Sequence, residues 1–369
     1  MPYDPAPGSE PVASFQISYT RFLDPDGEVR GELPAVAQDA ALLRRLYEAM
    51  LLTRAFDAKA VALQRTGRLG TYASTLGQEA VAVGIGSAMR PEDLLLPSFR
   101  EYGAQFWRGV SPTELLLYWS GDERGSDFAG PREDFPICIP VGSQVPHATG
   151  VALAFKLRRE KRVAVCVLGD GGTSKGDFYE GINMAGVWQV PAVFVINNNQ
   201  WAISVPRRAQ TRAETLAQKA IAAGIPGEQV DGNDVLAVRH VVGQAIERAR
   251  RDNRPSLIEA VTYRLSDHTT ADDASRYRDD KEVARFWKEE PVARLRAFLV
   301  GRGLWSRQDE DRALRESAAT IEAAVETYLA TPPQPPEAIL DYQFANPVPA
   351  LEEQRAALLE ELPEGGAHG

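Results

Sequence analysis

The chain has 369 residues, 44% hydrophobic and 25% charged, with a formal net charge of −10. This composition is that of an ordinary globular protein able to bury a sizeable core, and its acidic balance argues against nucleic-acid binding, which needs clustered Lys and Arg. No apolar run approaches the roughly 20 residues of a membrane span, the N-terminus lacks the pattern of a signal peptide, and two cysteines form no disulfide framework, so we predict a cytoplasmic location.

We predict three regions along the chain: an N-terminal arm (1–36), one large domain (37–330) and a C-terminal tail (331–369). Residues 1–12 have the composition of a mobile tail, and residues 13–24 alternate apolar and polar, which predicts a short strand. The apolar spacing predicts a helix over 37–66. A second helix is predicted over 310–330, with Leu314, Ala318, Ile321, Val325 and Leu329 on its apolar face, and the end of the tail should form a short helix with a frayed end.

The middle of the chain alternates between strand-like and helical segments. Two runs, Val163–Leu168 and Ala192–Ile196, are apolar, rich in β-branched residues and bounded by Gly, Pro or Asn, as buried strands are. A helix-length segment separates them, so they form a βαβ unit and predict a parallel sheet, in which Cys166 is buried. A further strand is predicted at Ser256–Thr262. The polar, aperiodic residues 264–280 predict a long surface loop.

The first of these strands ends in Gly169, Asp170, Gly171 and Gly172. Glycines between a strand and a helix let a phosphate approach backbone N–H groups closely. Asp170 would repel a diphosphate unless a divalent cation with oxygen ligands stood between them. The run is therefore a candidate phosphate and metal site, although by itself it is also typical of a plain turn.

The next strand ends in three asparagines, of which Asn199 lies 29 residues after Asp170. Adjacent parallel strands bring their carboxyl ends together, and that crevice is where α/β sheets bind ligands. The Asn199 side chain and the backbone carbonyl of Trp201 would complete an octahedral Mg²⁺ site with Asp170, two diphosphate oxygens and a water. Either run alone is typical of a turn; the βαβ unit between them favours a ligand site.

The segment from this turn to the second strand end, GDGGTSKGDFYEGINMAGVWQVPAVFVINNNQWAIS, resembles the thiamine diphosphate motif of the alpha subunits of 2-oxoacid dehydrogenases. Similar segments occur in the family order at 67–80, 95–103, 141–156, 229–238, 267–278 and 298–305, so that the resemblance covers about residues 15–330. It implies a three-layer α/β fold that binds thiamine diphosphate, in an enzyme that decarboxylates a 2-oxoacid.

The resemblance also implies roles for individual residues. Asp170, Asn199 and the Trp201 carbonyl match the Mg²⁺ ligands, although the family usually has Tyr where Trp201 stands. Phe99 and Arg100 match a Tyr-Arg pair that reaches the cofactor, so Arg100 would bind the diphosphate while the Phe lacks the hydroxyl. The backbone that cradles the diphosphate corresponds to Gly169, Gly171 and Gly172, and the backbone that holds the aminopyrimidine ring to Val141 and Ser143.

His268 matches the family's active-site histidine, which contacts the diphosphate and assists acyl transfer to the lipoyl group. A histidine with a pKa near 6.5 can donate or accept protons at neutral pH, so we assign His268 a catalytic role; the alternative is a solvated loop residue. The loop around it resembles a segment regulated by phosphorylation in eukaryotic members. Thr269 and Asp279 occupy its regulated positions, and we expect the loop to become ordered when cofactor and lipoyl domain bind.

The resemblance further implies a beta subunit. In this family the carboxylate that contacts the pyrimidine ring belongs to the beta chain, and a chain of this length has room for one thiamine-type domain while the cofactor sits between two. We therefore expect two alpha and two beta subunits, a 2-oxoacid substrate, and acyl transfer to the lipoyl domain of a dihydrolipoyl acyltransferase.

Two substrates remain open. The segments 67–80 and 141–156 favour pyruvate, whereas the loop SDHTTADDASRYR resembles members that act on branched-chain 2-oxoacids such as 3-methyl-2-oxobutanoate; we favour pyruvate. A non-catalytic paralogue that binds thiamine diphosphate is a second hypothesis, which the presence of Asp170, Asn199, Arg100 and His268 disfavours. A nucleotide-binding oxidoreductase would need G-x-G-x-x-G, and GDGGTSKG has a different glycine spacing.

Overall fold

The fold is seen in a computed structural model, which describes residues 8–361. Six strands form one parallel sheet in the order β1-β7-β8-β4-β3-β2, and the short strands β5 and β6 pair antiparallel beside it. In chain order the strands are β1 (Tyr19–Thr20), β2 (Leu94–Leu96), β3 (Ala164–Gly169), β4 (Ala192–Asn198), β5 (Trp201–Ala202), β6 (Val205–Pro206), β7 (Gly227–Asp231) and β8 (Ser256–Val261).

Helices cover both faces of this sheet and surround it. They are α1 (Ala40–Arg65), α2 (Glu79–Ala88), α3 (Tyr102–Arg108), α4 (Pro112–Ser120), α5 (Gln144–Leu157), α6 (Gly176–Trp188), α7 (Arg207–Gln210), α8 (Lys219–Ala222), α9 (Val235–Asp252), α10 (Asp280–Phe286), α11 (Pro291–Gly301), α12 (Arg307–Ala330) and α13 (Pro349–Glu361). Within residues 8–361 no helix combines the length and apolar character needed to cross a membrane.

The side chains of each central strand alternate between two hydrophobic clusters. Val165 and Val167 of β3 pack with α2 and α9 on one face, whereas Cys166 and Leu168 pack with α5 and α6 on the other. Because successive side chains of a strand point to opposite faces, one apolar run supplies both clusters. The predicted three-layer α/β fold and the burial of Cys166 are thus confirmed.

The predicted βαβ unit is present, since β3 and β4 pair in parallel and α6 lies between them in the chain. A 3-10 helix, Asp170–Ser174, separates β3 from α6, so the glycine-rich run forms a turn of its own before the helix begins. The predicted first helix begins at Ala40 because the Asp39 carboxylate accepts a hydrogen bond from the Leu42 backbone and caps it.

Two local predictions were wrong in detail. Of residues 13–24 only Tyr19–Thr20 form a strand, since the Asp234 carboxylate accepts hydrogen bonds, each 2.7 Å long, from the backbone N–H groups of Phe22 and Leu23 and draws the chain away from the sheet. On α12, Leu314 and Leu329 are about half exposed. The face that packs inward carries Ala313, Ser317, Ile321, Ala324 and Val325.

The end of the tail forms the predicted short helix, α13, and the expected frayed end (362–369) lies outside the described residues. So do residues 1–7 of the expected mobile tail. The division into arm, domain and tail stays a prediction.

Candidate active site

A cavity of about 620 Å³ opens at the carboxyl ends of the sheet strands. The segments that follow β2, β3, β4 and β8 all contribute to its wall. Gly169 at the end of β3 is paired with Asn197 at the end of β4, so the two polar runs predicted to form a site are adjacent. The cavity is lined by Thr71, Ala73, Gln78, Ser98, Phe99, Arg100, Glu101, Trp119, Ile139, Val141, Gln144, Gly169, Asp170, Gly171, Gly172, Asn197, Asn199, Trp201, Ala202, Ile203, His268 and Thr269.

The turn after β3 presents a buried carboxylate and open backbone. Asp170 is 2% exposed, and its Oδ2 accepts a hydrogen bond of 2.7 Å from Nε2 of Gln210. Burial raises the pKa of Asp170 above its ordinary value. A Cβ on Gly169 would meet nothing within 4 Å, whereas one on Gly171 would come within 2.6 Å of the Ala202 Cβ. The turn therefore leaves space for a ligand on one side and is tightly packed on the other.

The asparagines after β4 are held in different ways. Asn198 donates to the buried Glu259 carboxylate and is thereby tied into the sheet. Asn199 lines the cavity instead; its Nδ2 donates to Gln78 Oε1 at 3.0 Å, and its Oδ1 accepts from the Trp201 backbone N–H at 3.2 Å. These hydrogen bonds orient the Asn199 amide and fix which end carries the oxygen.

The donor set on this wall suits a magnesium ion that is completed by ligand oxygens. It consists of the Asp170 carboxylate, the Asn199 amide oxygen and the Trp201 carbonyl, all hard oxygen donors. Within residues 8–361 no group of three or more His, Cys, Asp or Glu side chains could hold a metal by itself. Such a wall would need oxygens from a bound anion to complete an octahedral shell.

Four residues of the cavity wall carry a buried polar atom that has no hydrogen-bond partner within residues 8–361. These atoms are Nε2 of Gln78, Nε1 of Trp119, Oε1 of Gln144 and Oδ1 of Asn197. A buried polar atom left unpaired costs about 1–3 kcal/mol. The wall of this cavity therefore contains two donors and two acceptors that a polar ligand could pair.

Two buried arginines without an ion pair within residues 8–361 lie at one end of the cavity, Arg100 in its lining and Arg264 behind it against His268. Arg100 is 5% exposed and Arg264 is fully buried, and neither forms an ion pair with another residue in the described part of the chain. Both donate to backbone carbonyls instead, Arg100 to His268 at 2.6 Å and Arg264 to Ile203 at 2.8 Å. Burial lowers the pKa of Arg100 and lowers that of Arg264 to about 10. An anion bound here would compensate both charges.

His268 accepts hydrogen bonds from these arginines. Its Nδ1 lies 3.0 Å from an Arg100 nitrogen and 3.3 Å from an Arg264 nitrogen, and since arginine can only donate, the neutral ring carries its proton on Nε2. Burial, followed by the charges of Arg100 and Arg264, lowers the pKa of His268 to about 3. This pKa lies well below the ordinary value of 6.5 from which the sequence-based argument started.

The loop over residues 264–280 is irregular, as predicted, but it is not a simple surface loop. Arg264, Thr270, Ala274 and Arg278 are buried. Thr270 exchanges two hydrogen bonds with the Tyr72 backbone, at 2.9 and 3.0 Å, and pins the loop against the cavity wall. Long-range contacts of this kind leave no periodic pattern in the sequence, which is why the loop was expected to be exposed.

The structure brings all the predicted site residues except Ser143 to this one cavity. The residues that line it are Phe99, Arg100, Val141, Gly169, Asp170, Gly171, Gly172, Asn199, Trp201 and His268. Ser143 lies at the N-terminus of α5, where its hydroxyl donates to the Pro140 carbonyl at 2.8 Å and stays outside the lining. Thr269 also faces the cavity, whereas the Asp279 side chain caps α10 by accepting from Lys281 N at 2.9 Å.

Sequence reasoning missed Gln78 and Gln144, whose side chains belong to the polar wall, and Arg264, which lies behind the wall and contacts His268. The first two lie inside the segments 67–80 and 141–156 that carry the resemblance, and Arg264 is the first residue of the polar loop. A buried polar side chain within an otherwise apolar stretch was the available signal. Nothing in the local pattern shows, however, that three distant segments turn these groups towards one cavity.

Comparisons with known proteins agree on a family. Residues 47–337 match the family model described as "Dehydrogenase E1 component". The chain is 42% identical over 342 residues to the "pyruvate dehydrogenase E1 component subunit alpha" of Staphylococcus aureus, covering 92% of each chain. It is also 42% identical over 320 residues to the "3-methyl-2-oxobutanoate dehydrogenase subunit alpha" of Mycobacterium tuberculosis, covering 87% of each.

Proposed function

Because this chain belongs to the dehydrogenase E1 component family, we propose that it is the alpha subunit of a 2-oxoacid dehydrogenase that requires thiamine diphosphate and Mg²⁺. The observation that carries this proposal is the cavity at the sheet edge. Within residues 8–361 it combines buried arginines that form no ion pair, a buried carboxylate with oxygen donors beside it, and polar atoms without a hydrogen-bond partner. A diphosphate-bearing cofactor with a bound cation would satisfy all three features at once.

In this proposal Arg100 binds the diphosphate, with the Gly169, Gly171 and Gly172 backbone close to it. Asp170, Asn199 and the Trp201 carbonyl hold Mg²⁺, whose positive charge allows the carboxylate and the diphosphate to lie together. The Val141 backbone would hold the pyrimidine ring and Phe99 would supply an apolar contact, whereas the same role for Ser143, which lies outside the lining, rests on the resemblance alone. Bound thiamine diphosphate would supply the carbanion-stabilising chemistry of 2-oxoacid decarboxylation.

His268 is the proposed catalytic residue. Its neutral ring carries the proton on Nε2, because Arg100 and Arg264 donate to Nδ1 and their charges disfavour a second proton. An anion that neutralises the arginines would raise the pKa of His268 again. The residue would then be able to exchange a proton during acyl transfer to a lipoyl group.

The proposed assembly contains two alpha and two beta subunits and delivers acyl groups to the lipoyl domain of an acyltransferase. Among the described residues that line the cavity, only Asp170 and Glu101 carry carboxylates. Glu101 accepts hydrogen bonds through Oε2 from two backbone N–H groups, and Asp170 is the proposed Mg²⁺ ligand, so we assign the pyrimidine contact to neither and expect the beta subunit to supply that carboxylate. The lining of the cavity includes apolar side chains that are about half exposed, Ile139, Val141 and Ile203, as expected for a surface that a second subunit covers.

The cytoplasmic location remains a prediction.

Pyruvate is the substrate we propose, with 3-methyl-2-oxobutanoate as the alternative. Relatives named for each substrate match at the same identity, so the preference rests on segments 67–80 and 141–156. The test is CO₂ release by the chain co-purified with its beta subunit, given thiamine diphosphate, Mg²⁺ and an artificial electron acceptor. A higher kcat/KM for pyruvate would support the proposal, and a higher value for the branched acid would change only the proposed substrate. If neither acid is decarboxylated, the proposed function is contradicted.

A further inference from the structure

Lys219, at the start of α8, is a buried cation outside the site described above. The residue is 6% exposed, and its Nζ donates to the carbonyl and to the hydroxyl of Thr173, at 2.8 and 2.9 Å. Within residues 8–361 it forms no ion pair with a carboxylate. Two aromatic rings also lie near this ammonium, with the ring centres of Phe178 and Tyr179 at 5.7 and 5.1 Å from Nζ. Both hydrogen bonds of this ammonium therefore go to a single residue.

Thr173 belongs to the turn Asp170–Ser174, whose other side lines the cavity. The Thr173 hydroxyl accepts from Lys219 and donates to the Asp170 carbonyl at 2.7 Å, so its one proton is committed. Lys219, Thr173 and Asp170 thus form a continuous chain of hydrogen bonds behind the turn. These hydrogen bonds support Gly171 and Gly172, which lie between Asp170 and Thr173 in the turn.

A fully buried carboxylate places Lys219 in this position. Glu259 of β8 accepts through Oε2 from the backbone N–H groups of Leu216 and Ala217, at 2.7 and 2.9 Å. These residues lie two and three positions before Lys219. The other oxygen of Glu259 accepts from Asn198 at 2.6 Å, at the end of β4. One carboxylate therefore fixes both the segment that leads into α8 and the end of β4, next to Asn199.

A buried ammonium without a carboxylate partner is costly, because it loses its hydration and gains no opposite charge. A methionine of similar length would fill the same space without that cost. The charge is useful only if an anion reaches the turn that Lys219 supports. We propose that Lys219 is a positioning residue that fixes the turn Asp170–Ser174 and lends it positive charge, so that the turn binds a diphosphate group.

This inference rests on the proposed function and concerns how the cofactor's diphosphate is held. Lys219→Met keeps the length and removes the charge and both hydrogen bonds, and Lys219→Arg keeps the charge. Lys156→Met is the matched control, since Lys156 also donates to a backbone carbonyl, that of Trp188 at 2.7 Å, but at an exposed helix end. Each variant is made in the full chain co-expressed with the beta subunit.

The measurement is the Kd for thiamine diphosphate at saturating Mg²⁺, and separately for inorganic diphosphate, by calorimetry, together with the Tm of the ligand-free protein. We expect Lys219→Met to raise the Kd for both ligands roughly tenfold or more. Lys219→Arg should recover most of the lost affinity, and Lys156→Met should leave both Kd values unchanged. A purely structural lysine would instead lower the Tm and leave both Kd values as in the wild type, which would overturn the inference.

Two further outcomes are distinguishable. Wild-type protein that binds neither ligand would refute the proposed function and this inference together, whereas wild-type binding with unchanged Lys219→Met affinity would refute the inference alone. Should Lys219→Met fail to fold, Thr173→Val removes the hydroxyl that links Lys219 to Asp170 and must weaken both ligands in the same direction. Unchanged affinity in Thr173→Val would equally overturn the role of Lys219.

Discussion

Replacing Arg100 with Met should separate ligand affinity from stability. The side chain is 5% exposed, forms no ion pair within residues 8–361, and donates to the carbonyls of Ser74 and His268. In the ligand-free protein the guanidinium is thus a buried and uncompensated charge. With a diphosphate bound, the same charge would have its partner.

The expected magnitudes follow from these contacts. Without ligand, Met leaves two carbonyls unpaired at about 1–3 kcal/mol each, and it removes a buried cation whose desolvation costs several kcal/mol. The two effects oppose each other, so the free energy of unfolding should change by no more than about 2 kcal/mol. With ligand, the loss of two charge-assisted hydrogen bonds costs ~3–6 kcal/mol, which weakens binding by roughly 100- to 10,000-fold.

The assay is calorimetric titration of thiamine diphosphate in Mg²⁺ into the alpha–beta complex, with urea unfolding of each variant. Arg239→Met is the matched control, since Arg239 is partly buried, forms no ion pair within residues 8–361 and donates to a backbone carbonyl, that of Ser87. Arg239 lies outside the cavity lining. An affinity loss below tenfold in Arg100→Met, or an equal loss in Arg239→Met, would refute the electrostatic argument for the cavity.

Three other predictions test neighbouring parts of the site. Asp170→Ala should abolish Mg²⁺-dependent binding of thiamine diphosphate, and an unchanged Kd would remove Asp170 from the metal site. His268→Ala should leave cofactor binding intact but reduce lipoyl acylation, which normal acylation rates would contradict. The folded-state pKa of His268, about 3, lies below the unfolded value of 6.5, so the folded state binds fewer protons and loses stability as pH falls from about 6.5 towards 3. Between pH 7 and pH 5 the wild type should therefore lose about 1 kcal/mol more than His268→Gln in urea unfolding, after allowance for solvent screening, and equal losses would argue against the lowered pKa.

The sheet edge was predictable because its signals are local. Two nearly continuous apolar runs rich in β-branched residues located β3 and β4, and Gly169–Gly172 and Asn197–Asn199 stand where those strands end. Parallel pairing then requires the two runs to be neighbours, since the carboxyl ends of parallel strands share an edge. The structure pairs Gly169 with Asn197 accordingly.

The wall around that edge was not predictable from local pattern, because its contacts join distant segments. Gln78 meets Asn199 across 121 residues, and Arg100 meets His268 across 168. A polar residue in the sequence carries no mark that distinguishes a solvated side chain from one turned into a cavity. Burial and partners, which set its energetic role, arise only when the segments pack.

The sequence by itself therefore determined the fold class, the strand ends that carry the turn and the asparagines, and the family that these motifs resemble, because each depends on residues close together in the chain. Only the tertiary structure decided the electrostatic state of the site: the unpaired charges of Arg100 and Arg264, the lowered pKa of His268 and the support of the turn by Lys219. The physical reason is that a charge's free energy depends on its distance from solvent and from other charges, and both distances are properties of the folded chain.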